Sequence, residues 1–176
     1  MLGAAGALLC LACGMAAGSW MRERRLARWR MLAACMEAIS GMRALLEQER
    51  PSLPDLLENS AECVSTGTGA QQVAQRFRRT AQVIASQPLL SVSDAYASAC
   101  REIAAPWEKQ EARAAMERLF RQLGSGTAVM REQAAAACLR RLKPLEETAR
   151  AEAEKGGKLC MQLGMLLGLM AGIALW

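Results

Sequence analysis

Seven cysteines are the residues of this chain most obviously suited to chemistry: Cys10, Cys13, Cys35, Cys63, Cys100, Cys138 and Cys160. Cys10-Leu11-Ala12-Cys13 is formally a C-x-x-C motif. Such a motif acts in redox chemistry when a strand–helix turn and polar neighbours lower the thiol pKa. Here it falls inside an uncharged apolar stretch, so no redox role is expected. An odd, scattered set of cysteines suits free thiols serving as small apolar residues. There is no histidine anywhere, which removes the commonest general base and the commonest metal ligand together.

Carboxylates are the next candidates, because a pair of them can transfer protons or hold a metal. Glu108, Glu111 and Glu117 fall on one expected helix and Glu146, Glu147, Glu152 and Glu154 on another. They alternate with Arg and Lys at helical spacing, so solvated i,i+4 ion pairs account for them. Gly124-Ser125-Gly126-Thr127 has the look of a phosphate loop but lacks both the Gly-Lys-Ser/Thr ending and a preceding strand. It reads as a helix–helix turn. We expect no catalytic residue, no metal, no cofactor and no small-molecule substrate, and set aside a small membrane-anchored hydrolase.

Two further patterns concern membranes. Gly164, Gly168 and Gly172 stand four residues apart near one end of the chain, and Gly14 and Gly18 near the other. Small residues at this spacing let helix backbones approach closely inside a bilayer, so these glycines are expected to pack membrane helices. Arg22, Arg24, Arg25, Arg28 and Arg30 crowd the inner flank of the first apolar stretch, and Lys155 and Lys158 precede the second. Positive residues resist translocation and attract anionic headgroups.

The elements that would carry these patterns are helical. Met1–Trp20 and Leu159–Trp176 hold no charged residue, and each would run roughly 27–30 Å as a helix, close to the hydrocarbon thickness of a bilayer. We expect transmembrane helices at 1–20 and 159–176 and a cytoplasmic helical bundle at 21–158, with both termini outside the cell membrane. A cleaved signal peptide is disfavoured because its basic residues should precede the apolar stretch, not follow it. A lipobox at Cys13 is disfavoured because Cys10 stands where Leu is usual. The net charge of +5 lies mostly in the Arg cluster, so nucleic acid is not expected as a partner.

Hydrophobic residues make up 52% of the chain but aromatics only 4%. Ala, Leu, Met, Arg, Glu and Gln dominate, which favours helix over sheet. The expected fold is therefore all-α: an antiparallel bundle of about six helices flanked by one transmembrane helix at each end. A stripe at Leu32, Met36, Ile39, Met42 and Leu46 continues the first helix past a tolerated Gly41 as far as Pro51. Ser52-Leu53-Pro54-Asp55 starts a second helix, with Leu53, Leu57, Ala61 and Val64 inward. Ser65–Gly69 is a loop before a third helix over about 70–86, with Val73, Phe77, Ala81 and Ile84 inward. Ser91 or Ser93 caps a fourth carrying Val92, Tyr96, Ala99 and Ile103. Trp107 opens a fifth, with Ala112, Met116, Leu119 and Leu123 inward. The last helix runs through Cys138, Leu142 and Leu145, with a kink expected at Pro144 and a soft point at Gly156-Gly157.

Over nearly the whole chain this layout resembles the stage III sporulation protein AB family. The likeness is strongest in the last fifty residues: Leu123-Gly124 opening a long helix, an acidic Ala-rich stretch from Leu142 to Glu154, Lys158, then Leu163-Gly164-Met165-Leu166-Leu167-Gly168-Leu169. Leu53-Pro54-Asp55-Leu56-Leu57 is similar to the family's Leu-Pro-Glu-Ala-Leu. Gly126-Thr127 stands where the family has Ser-Asp, and Tyr96 where Trp is common. The resemblance implies a helical domain similar to the cytoplasmic domain of type II secretion F proteins. It also implies a non-catalytic scaffold in the assembly linking mother cell and forespore. The partners it implies are other membrane subunits and a secretion-type ATPase, stage III sporulation protein AA-like. The alternative is a generic type II secretion or type IV pilus inner-membrane platform outside sporulation. Those platforms usually carry two copies of the bundle and three spans, which favours the sporulation reading.

Overall fold

A computed structural model describes residues 2–48, 51–65, 67–105 and 108–174. Among the described residues six helices follow in order: α1 Leu2–Gln48, α2 Leu53–Glu62, α3 Thr68–Ser86, α4 Val92–Glu102, α5 Gln110–Ser125 and α6 Ala128–Ala174. Among the described residues there is no strand. The all-α expectation holds, and so does the count of six.

The flanking membrane spans are a different matter. Among the described residues no helix is long and apolar enough to cross a membrane. The backbone is helical over 2–20 and 159–174, but most side chains of these two stretches lie outside the described residues. Within α1 and α6 as whole helices, the apolar ends are continuous with stretches rich in Arg and Glu. Pro144 does not end α6, which also runs on through Gly156-Gly157.

Helix starts follow local chemistry. Ser52 caps α2, its hydroxyl accepting from the Asp55 backbone N–H, with Pro54 in the first turn. Ser91 rather than Ser93 caps α4, accepting from the Asp94 N–H at 3.2 Å. Thr127 opens α6, where its hydroxyl meets the Met130 N–H at 3.5 Å. Two boundaries differ from expectation. Helix α3 begins at Thr68, two residues early, and α5 begins at Gln110 with Lys109 at its N-cap. Pro106, which the sequence reads as closing the fourth helix, and Trp107, read as opening the fifth, lie outside the described residues.

The chain divides into two compact units, Arg30–Glu146 and the pair of end segments Met1–Trp29 with Glu147–Trp176. In the central unit α2 packs on α3, α3 on α4 and α4 on α5, with short connections turning the chain back each time. Its core holds Leu32, Ile39, Met42 and Leu46 of α1, Val73, Phe77 and Ala81 of α3, and Ala112, Met116, Leu119 and Leu123 of α5, all as expected. Met36, Leu53, Val64, Ile84, Ile103 and Leu145 are only half-buried. Cys35, Leu56 and Val83, one residue away from Met36, Leu57 and Ile84, are buried too. A 3.6-residue period lets adjacent positions share the buried arc, so a single-file stripe underestimates it.

Gly41 is more than tolerated. A Cβ built there would stand 2.6 Å from the Cys63 sulfur and 2.8 Å from the Cys63 Cβ. Helix α1 therefore meets the end of α2 at a position that admits no side chain. The Glu37 carboxylate accepts from the Ser65 backbone N–H at 2.8 Å on the same side, and Arg43 reaches Glu132 of α6 at 3.4 Å. In the end-segment unit, Arg28 pairs with Glu152 at 2.9 Å, Ala149 and Ala153 are buried, and the Arg24 guanidinium lies 3.8 Å above the Trp20 ring.

Candidate functional site

The expected site residues fall mainly in the end-segment unit. Arg22, Arg24 and Lys155 are exposed, Arg25 and Arg28 half-buried, and Arg30 exposed at the edge of the central unit. Gly18 is buried. The surroundings of Gly14, Gly164, Gly168 and Gly172, and the side chain of Lys158, lie outside the described residues.

Of the seven glutamates named above, Glu117 and Glu154 form the i,i+4 pairs expected of them, whereas Glu152 pairs with Arg28. Arg113–Glu117, Arg150–Glu154 and Arg43–Glu47 are exposed i,i+4 pairs, of the kind that adds only tenths of a kcal/mol. Arg79 of α3 takes Glu102 of α4 in a two-bond fork, 2.7 and 3.1 Å. That hydrogen bond lowers the Glu102 carboxyl below its ordinary range and raises Arg79.

Glu108 differs from these. It lies ahead of α5, not on it, and binds Arg76 of α3 at 2.8 Å with both side chains almost sealed from solvent, 6% and 7% exposed. The Arg76 Nε also donates to the Ile103 carbonyl at 3.0 Å. One guanidinium thus ties α3 to the end of α4 and to the segment leading into α5. Burial works against the charged Arg76, but the Glu108 hydrogen bond and charge outweigh it and hold its pKa above the ordinary value. Arg76 and Thr80 sit between Val73, Phe77 and Ala81 on one arc of α3, and Thr80 satisfies itself on the Arg76 carbonyl at 2.7 Å. A charged residue on a buried arc was the sequence signal for this pair. It is hidden by the run Arg76, Arg78, Arg79, which looks solvated as a whole.

Beside the pair lies an aromatic cluster. Tyr96 of α4 stacks on Phe120 of α5 at 3.9 Å, and Phe77 of α3 meets Phe120 edge-on at 5.5 Å. Burial pushes the Tyr96 hydroxyl well up. Burial likewise pushes the Cys35 and Cys138 thiols up to about 12, and Cys100 upward. These sulfurs are protonated at neutral pH and poor nucleophiles, the opposite of an activated cysteine. No group of three or more potential metal ligands occurs among the described residues.

The same shifts set an alkaline limit on stability. Above pH 9.0 the unfolded chain releases the Cys35 and Cys138 protons while the folded chain keeps them until about pH 12. Stability from these thiols is therefore complete below pH 9 and falls as pH rises, by up to about 1.4 kcal/mol per unit for each thiol. We expect a melting temperature that is level from pH 7 to 8.5 and drops above it, with a shallower drop in a Cys35→Ala, Cys138→Ala double variant. Thermal melts across that range check this; equal slopes for the two proteins would refute it.

Between α5 and α6 two adjoining depressions of about 190 and 550 Å³ share Gln122, Ala134 and Ala137 in their walls. Their rims carry Arg118, Arg121, Arg140 and Arg141, all exposed. This groove was not foreseen, because its arginines come from two helices and only the turn at Gly126 brings them together.

The buried pair and the aromatic cluster lie in the interior, and the groove presents cations on its rims. The comparison with known proteins bears most on identity. No curated protein and no solved structure matched the chain. One family model matches residues 3–176, that of stage III sporulation protein AB (spore_III_AB). A match of this extent takes in all six helices, and this chain, a sporulation protein, belongs to the stage III sporulation protein AB family.

Proposed function

We propose that the protein is a non-catalytic membrane platform of the sporulation channel complex between mother cell and forespore. It docks a secretion-type ATPase and further membrane subunits and is required for late forespore development. The observation that carries this reading is the family match across residues 3–176, on a chain folded into a six-helix bundle. The membrane part rests on sequence. Met1–Trp20 and Leu159–Trp176 are uncharged, and Arg22 to Arg30 and Lys155 with Lys158 stand on their inner sides. Both termini then lie outside, the bundle lies in the mother-cell cytoplasm, and the glycines at 164, 168 and 172 pack one span against another. A platform held at a membrane concentrates its partners in one layer, so modest contacts suffice once several subunits assemble.

Removal of the gene from its endospore-forming host tests the reading. The expected result is arrest after engulfment, failure of late forespore gene expression and loss of heat-resistant spores, with normal vegetative growth. Full sporulation without the protein would overturn it. Terminal reporter fusions active only in the cytoplasm would overturn the topology, and unchanged assembly in a Gly168→Ile variant would overturn the packing role of the glycine ridge.

A further inference from the structure

Six arginines, Arg28, Arg43, Arg76, Arg79, Arg113 and Arg150, are each within ion-pair distance of a Glu. Arg118 and Arg121 of α5 and Arg140 and Arg141 of α6 form no ion pair among the described residues, and all four border the α5–α6 groove. Four unneutralised guanidinium groups around one concavity repel each other and gain when an anion enters.

The groove between them has its own character. Small side chains, Ala134 and Ala137, form its floor, and Met130, 58% exposed, stands at its mouth. Small residues admit a close backbone, and an exposed methionine adapts its shape to an apolar surface. We propose that this groove is the docking site for an acidic amphipathic helix of a protein partner. The partner's apolar face lies on the alanine floor, and its Asp or Glu residues take the arginine forks on the rims. The concave form fits a helix better than a bilayer, which is met by convex amphipathic surfaces. The groove offers no aromatic platform on which nucleic-acid bases would stack. The inference rests on the platform reading above and supplies that platform with a partner surface.

Two measurements in the sporulating host, with the full chain as its only copy, test the groove. A photo-crosslinking residue at Gln133 should attach to a segment of another subunit rich in Asp and Glu, and the adduct should vanish in an Arg118→Glu, Arg121→Glu variant. Like charges across an interface oppose docking, so the same variant should lower heat-resistant spore counts by about tenfold or more. Arg118→Lys, Arg121→Lys should keep most of them, and immunoblots should show both variants at normal levels. Suppressors of the Glu variant should change an acidic residue of another protein to Lys or Arg. Wild-type spore counts in the charge-reversed strain, where gene removal abolishes spores, would overturn the groove and leave the platform standing. Crosslinks to lipid or nucleic acid, or no adduct from a stably produced chain, would overturn it as well.

Discussion

Replacing Glu108 by Ala is expected to destabilise the central unit by about 3–5 kcal/mol, the usual cost of leaving a buried charge without its partner. The loss arises at Arg76, which keeps its bond to the Ile103 carbonyl but has no anion within reach to offset burial. A Glu108→Gln variant should fall between, because an amide oxygen still accepts from the guanidinium without balancing its charge. Removing both partners should behave differently. Arg76→Met with Glu108→Met exchanges two desolvated ions for apolar volume, and such exchanges are often neutral or stabilising. Denaturant unfolding of the four proteins checks the pattern. If the double variant is as unstable as Glu108→Ala, the bond to Ile103 rather than the charge balance is what matters.

Phe120→Ala is expected to cost about as much, roughly 3–5 kcal/mol, for another reason. Phe120 is wholly buried, and its ring is the member of the cluster that both Tyr96 and Phe77 touch. Truncation opens a cavity where α3, α4 and α5 converge and abolishes two ring contacts worth about 0.5–1.5 kcal/mol each beyond their area. Phe120→Leu should recover much of the volume and none of the stacking. For a domain of this size the Ala variant should lower the melting temperature by roughly 10–20 °C. A shift of only a few degrees would mean that neighbouring side chains collapse into the space.

Helix type, number and most inward faces were legible in the sequence because they depend on local rules. Ser52 and Ser91 announce helix starts through their own hydroxyls, and Phe77, Met116 and Leu123 recur at helical intervals. What the sequence concealed depends on partners far along the chain. Glu108 passed for one of several solvated acids because nothing near it in sequence marks Arg76, 32 residues earlier, as its partner. The arginine groove was hidden in the same way. On α5 alone Arg118 and Arg121 are an ordinary polar face, and only α6 turns them into half of a concavity. The family resemblance was legible for yet another reason: its motifs are runs of Leu and Gly in fixed order, which need no tertiary information.

The missing side chain at Gly41 has a mechanical consequence. Because the Cys63 Cβ occupies the space where one would be, α1 and the end of α2 engage like a key in its slot. A helix seated on a smooth neighbour can turn about its axis or slide by part of a turn at little cost. Here either motion would bring helix backbone or a flanking side chain toward Cys63, which opposes slippage of α1 past the end of α2 at this point. Helix α2 in turn packs on α3. Cys63 itself is exposed, which places a labelable sulfur at the joint and makes the tightness of that engagement directly measurable.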